Sequence, residues 1–150
     1  MKLKQLINNA WGKKGIYNSY RGMALFNYKK FILQGKRSPK KYLYVYRGLM
    51  AGIYALQTGT IQPNLEELNK YFKLDEVKWL IKTKKETKEW TAMPENAPKT
   101  IDSAIEDLLQ RLDKAYLNSK IPEVPQEKEI NEINKWLYKI RWENLRGGSK

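Results

Sequence analysis

Residues 38–59 read SPKKYLYVYRGLMAGIYALQTG. Ser38 before Pro39 is a helix start: a hydroxyl that accepts from a free amide, then a ring already set to helical φ with no N–H to leave unpaired. The spacing predicts a helix from Pro39 to about Gln57, stopped by Gly59. At about 100° per residue, Leu43, Tyr46, Met50, Ile53 and Tyr54 share one apolar arc, with Arg47 at its edge. Gly48, Ala51, Gly52 and Ala55 form a separate strip of small residues, which lets another helix approach closely. The helix is therefore expected at the centre of the domain. An Arg on its apolar side is expected to find a carboxylate, a carbonyl or a ligand phosphate, because an unpaired buried charge is too costly.

The flanking sequence reads as further helices divided by Gly, Pro and Asn. Residues 2–11 suit a short basic helix halted by Gly12 and Gly15. Ser19 is positioned to cap a helix to about Gln34, with Gly35 just past its end. Asn64 and Glu67 resemble a capping box ahead of a short helix to Phe72. Asp75 opens a Lys-rich helix to about Trp90, and Thr100 is placed to cap one ending near Asn118. The last helix spans about Lys128–Leu145, after a loop at 119–126 with two prolines. No alternating pattern longer than four residues argues for a strand, so the expected fold is all-α: one compact domain of six to seven helices.

At 150 residues one domain is expected, large enough to bury roughly 70% of its unfolded surface. Cys is absent, which excludes disulfides and thiolate chemistry and fits a cytoplasmic setting. His is absent too, which excludes Ser-His-Asp catalysis and His-bound zinc within this chain. The N-terminus does not read as a signal peptide. The longest apolar run, Tyr42–Leu56, is broken by Arg47 and is shorter than the ~20 residues of a membrane span, so no membrane partner is expected.

The first acidic residue is Glu66. Residues 1–65 carry twelve Lys and Arg and no acid; the remainder carries 17 bases and 16 acids, and +12 with +1 gives the total of +13. The expected division is a basic, phosphate-binding half, 1–65, and a charge-balanced half, 66–150. A polyanion is the implied partner of the first half. The densest candidates are Lys29, Lys30, Lys36, Arg37, Lys40, Lys41 and Arg47. Lys40 and Arg47 are seven apart and share a face. Lys36–Lys41 flank a helix N-terminus, whose free amides and dipole also favour an anion. A merely solvated basic surface is the plain alternative.

Seven of the ten Tyr lie in residues 17–54, among these cations. Rings beside cations suit base stacking, although most such Tyr serve as core residues with a wet hydroxyl. Tyr46 and Tyr54 are core by phase; Tyr20 and Tyr44 are the better exposed candidates. The acids Asp75, Glu76, Asp102, Glu106 and Asp107 make no metal site by spacing, since adjacent carboxylates on a helix point about 100° apart. Trp136 and Trp142, with Ile130, Ile133, Leu137 and Ile140, read as core or a helix-docking face.

Three segments together resemble the C-terminal helical region of predicted nucleotidyltransferases of the DNA polymerase beta superfamily. They are Tyr17-Asn18-Ser19-Tyr20-Arg21-Gly22-Met23-Ala24, then Asn27-Tyr28-Lys29-Lys30, then Pro39-Lys40-Lys41 through Arg47. Residues 60–68, Ser119–Glu123 and Ile133–Leu137 continue the likeness. The resemblance implies transfer from a nucleoside triphosphate with Mg²⁺ held by carboxylates of a Gly-Ser motif followed by Asp-x-Asp. Neither part of that arrangement is here, and the first Asp is Asp75. By the same likeness Tyr20, Lys30, Lys41 and Arg47 would face the triphosphate or base.

The expected function is therefore the helical, triphosphate-holding half of a nucleotidyltransferase. Its site residues would be Tyr20, Lys30, Lys40, Lys41, Tyr44 and Arg47. A catalytic partner subunit would bring the metal carboxylates, and Mg²⁺ would arrive with the nucleotide. The competing expectation, from charge alone, is a stand-alone helical DNA- or RNA-binding module. A third is an interaction protein docking a partner through its small-residue strip or its last helix.

Overall fold

The computed structural model describes residues 10–88 and 91–147, and these contain six helices and no strand. They are α1 (Lys13–Asn27), α2 (Pro39–Thr58), α3 (Leu65–Phe72), α4 (Asp75–Glu86), α5 (Ile101–Asn118) and α6 (Glu127–Gly147). The expected helix at 2–11 lies outside the described residues but for its last two, which are not helical.

The 38–59 segment folds as its sequence dictates. The Ser38 hydroxyl accepts from the Lys41 amide at 3.3 Å, Pro39 takes the first helical position, and Gly59 closes α2 in the left-handed conformation. The apolar arc understates the burial. Tyr42, Val45, Leu49 and Leu56 are buried as well, because α1, α3, α4 and α5 all pack on α2. Of the predicted arc, Tyr46, Met50 and Ile53 are buried, whereas Leu43 and Tyr54 are half-buried at its margin. Arg47 falls outside the buried surface and is exposed, so it carries no desolvation debt to be met by a buried partner.

The small-residue strip seats two helices. A Cβ at Gly52 would lie 2.8 Å from Tyr20 Cβ and 3.0 Å from Leu112 Cδ1, so α1 and α5 both press on this position. Gly48 meets α1 one turn earlier, at Ala24. Close approach here sets the height of Tyr20 above α2.

Several predicted boundaries move. Ser19 is no cap; α1 begins six residues earlier, at Lys13, and Gly15 lies within it. Gly12 is a start here because it abuts the backbone of Glu123 and Val124, where a side chain has no room. The Lys13 amide donates to Pro122 O at 2.8 Å. That contact is long-range and leaves no local trace. The far end also differs: after Asn27 the chain widens into a π-turn, Tyr28–Ile32. Thr100 precedes α5 without capping it, and its hydroxyl donates to Glu76 Oε1 at 2.7 Å instead. α4 ends at Glu86, short of Trp90. Asn64 caps α3 as expected, accepting from the Glu66 and Glu67 amides at 2.9 and 3.1 Å.

A buried side chain fixes the α3–α4 turn. Asn69 accepts from the Leu74 amide at 2.9 Å and donates to the Leu74 carbonyl at 3.0 Å. Between them Lys73 is held at φ +57, the only non-glycine with positive φ among the described residues. α6 stands apart: none of its described residues is buried, and Trp142 and Leu145 are 61% and 73% exposed. No helix among the described residues is long and apolar enough to cross a membrane.

Candidate functional site

Acids from the second half reach back to the first. Asp102 at the start of α5 accepts from the Tyr42 hydroxyl at 2.8 Å and lies 3.7 Å from Arg37 Nη1. Asp113 accepts from Tyr17 at 2.7 Å and lies 3.5 Å from Arg21 Nε. Glu123 pairs with Lys13 at 3.5 Å and accepts from the Tyr116 hydroxyl. The acid-free segment is thus partly neutralised once folded. Burial, then the bond to Asp102, keeps the Tyr42 phenol protonated well above its ordinary range.

The cations left over are organised by aromatic rings. Lys30 Nζ lies 5.0 Å from the Phe26 ring centre and 5.5 Å from that of Phe31. Lys41 Nζ sits 3.7 Å over Phe31 and 5.7 Å from Tyr44, and the Arg47 guanidinium is 5.4 Å from Tyr44. Cation and ring alternate along one strip from the π-turn to the middle of α2. Each exposed contact of this kind contributes about 0.5–1 kcal/mol and, more usefully, fixes a flexible cation in place. Tyr20 joins at the Arg47 end. Burial raises its phenol pKa, and the neighbouring Arg47 charge pulls it back. Tyr20 and Tyr44 are both half-buried rather than exposed.

Lys40, Tyr44 and Arg47 line one wall of a groove of about 370 Å³. The far wall is Lys84 and Lys85 of α4, with Asn64 and Glu66 at the start of α3 closing one side. The seven-residue spacing does bring Lys40 and Arg47 to one face. Lys84 and Lys85 were not among the sequence candidates, because their place opposite Lys40 follows from how α4 packs on α2. Lys85 donates to Glu66 at 2.6 Å, and that bond holds the Glu66 carboxyl below its ordinary pKa.

The groove therefore offers Lys40, Arg47 and Lys84, a Lys85 now bonded to Glu66, and a half-buried Tyr to an anion with an aromatic part. Among the described residues no three acidic side chains converge on a point where a metal ion could be held.

No curated protein and no solved structure matches the chain. The model of RlaP, the RNA repair pathway DNA polymerase beta family, matches residues 1–139, nearly the whole length, and the chain therefore belongs to that family.

Proposed function

We propose that these helices form the nucleotide-holding part of a nucleotidyltransferase, with the metal carboxylates brought by a catalytic partner. The observation that carries this reading is the groove in which Lys40, Tyr44 and Arg47 of one helix and Lys84 and Lys85 of another line a common hollow. The Lys ammonium groups are point charges for phosphate oxygens, and the Arg fork can bind two of them at once. Tyr44, with Tyr20 beside Arg47, gives a base or ribose a surface to rest on. Lys30 and Lys41, fixed on Phe31, extend the positive field toward the groove. The work is positioning and charge stabilisation, which is most of what a protein contributes to phosphoryl and nucleotidyl transfer.

The test is a titration of ATP and GTP, with and without Mg²⁺, followed by calorimetry. Saturable binding that weakens at least tenfold in Arg47→Ala and in Lys40→Ala is the expected result. Absence of binding at millimolar nucleotide would refute the reading. The alternative of a general DNA- or RNA-binding module draws on the net charge of +13. It requires a salt dependence shared evenly among many Lys, with no sharp loss at Arg47.

A further inference from the structure

Beyond the groove just described, the molecule has a second and larger concavity, of about 740 Å³, between α3 and α4. Lys70 and Lys73 stand on its α3 side; Lys78, Lys82 and Lys85 stand on its α4 side. The lining has five cations against two acids, Glu66 and Glu86, while Glu67 and Asp75 beside it pair with Lys70 and Lys78. This excess is invisible in the sequence, where residues 66–150 as a whole carry only +1. Lys78, Lys82 and Lys85 follow helical i, i+4, i+7 spacing, with Ile81 on the same face as an apolar floor. Glu66, Ile81 and Lys85 also line the smaller groove, so the two hollows adjoin at these residues.

We infer that the larger hollow, a trough between α3 and α4, takes the phosphate backbone of a single polynucleotide strand leading away from the nucleotide groove. The inference deepens the nucleotidyltransferase reading and rests on it for the strand's role as acceptor. Three features favour a strand. Cations line both walls, as a row of phosphates between them requires. From Lys78 to Lys85 is about 10 Å along the helix, the rise of about three phosphates in a stacked strand. The ion pairs now present, Lys70–Glu67 and Lys85–Glu66 at 2.6 Å and Lys78–Asp75 at 3.1 Å, are all solvent-exposed, so little is lost when phosphate replaces a carboxylate. The Asn69 clamp on the turn holds the two walls in place before a strand arrives. A concave lining fits a strand better than a lipid surface, which meets protruding cations.

The experiment measures binding of a single-stranded oligoribonucleotide of about 12 nucleotides, within the ~4–16 nucleotides of known single-strand sites. Binding is followed across a salt series for the full chain, the double variant Lys78→Gln/Lys82→Gln, and Lys73→Gly. The double variant is expected to flatten the plot of log K against log salt by about 1.4, about 0.7 per lost contact, and Lys73→Gly by about 0.7. ATP binding should stay unchanged in all of them. Lys73→Gly also removes a side chain from a left-handed backbone position, so its binding loss cannot be blamed on misfolding. An unchanged slope overturns the proposal. So does a slope that responds only to Lys40→Gln and Arg47→Gln, which puts the strand in the smaller groove. Capture by phosphatidylserine vesicles in preference to the oligonucleotide, lost in the same variants, overturns it in favour of a membrane surface. Strand binding that depends on the trough Lys in a protein with no affinity for ATP would uphold the trough and refute the nucleotide site instead.

Discussion

Replacing Gly52 by Ala tests the packing that places Tyr20. The new methyl would sit 2.8 Å from Tyr20 Cβ and 3.0 Å from Leu112 Cδ1. Carbon atoms rest at about 3.5–4.0 Å, so α1 must retreat by about 0.7–1.2 Å. Leu112 can swing its methyl aside. Tyr20 Cβ is tied to the α1 backbone and can move only with its helix. Overpacking of this kind costs about 1–3 kcal/mol, and Ala returns up to about 1 kcal/mol through its better helix propensity. The net expectation is a loss of about 1–2 kcal/mol, or about 2–8 °C in Tm for a chain of this size. Gly22 on α1 is the internal control: nothing lies within 4 Å of a Cβ there, so Gly22→Ala should gain up to about 1 kcal/mol. Thermal unfolding followed by far-ultraviolet circular dichroism compares the two. If Gly52→Ala is as stabilising as Gly22→Ala, the reasoning about the strip is wrong. Because Tyr20 borders Arg47, the displaced α1 should also weaken ATP binding, an effect Gly22→Ala lacks.

Further expectations concern buried polar groups and the strained turn. Tyr46→Phe removes the hydrogen bond that the phenol now donates to the Ile101 carbonyl at 2.7 Å, at a cost of about 0.5–1.5 kcal/mol in urea unfolding; no measurable change would show that the bond contributes little. Burial, foremost, holds the Tyr42 and Tyr46 phenols protonated beyond the ordinary value of about 10. The stability they contribute is whole below that pH and declines as pH rises past it, by up to about 1.4 kcal/mol per pH unit for each phenol. Tyr42→Phe should make the alkaline decline shallower, and an unaltered slope refutes the assignment. Asn69→Ala removes both bonds to Leu74 and should cost about 1–3 kcal/mol by urea unfolding, with faster amide exchange confined at first to residues 69–75. Lys73→Gly relieves a left-handed conformation costing about 1–2 kcal/mol, offset by about 0.5–1 kcal/mol of glycine entropy. A small rise in Tm is expected, and a clear fall would contradict it.

What could be read from sequence was local. The Ser38-Pro39 start, the Gly59 stop, the Asn64 cap and the small-residue strip each depend on neighbours within a few positions, and each is found in the fold. So is the shared face of Lys40 and Arg47. What could not be read depends on distant segments. Gly12 looked like a helix stop because the backbone it must approach is 111 residues away, at Glu123. The ion pair of Arg37 with Asp102 could not be read, because Asp102 is remote in sequence. Lys84 and Lys85 belonged to a stretch whose charges nearly cancel, and only the seating of α4 on α2 separates the Lys from the acids. Arg47 was assigned to an apolar arc by phase, but that arc ends one residue short of it.

The bare surface of α6 bears on how the chain comes apart. A lone helix of 21 residues is marginal in water, and none of its described side chains is locked into the core. Its amides exchange through local opening, whereas those of α2 wait for the whole domain to unfold. Trp136 and Trp142 report on α6, while Trp79 packs against the core. Fluorescence and circular dichroism are therefore expected to trace transitions that do not coincide, one for the helices packed on α2 and one for α6.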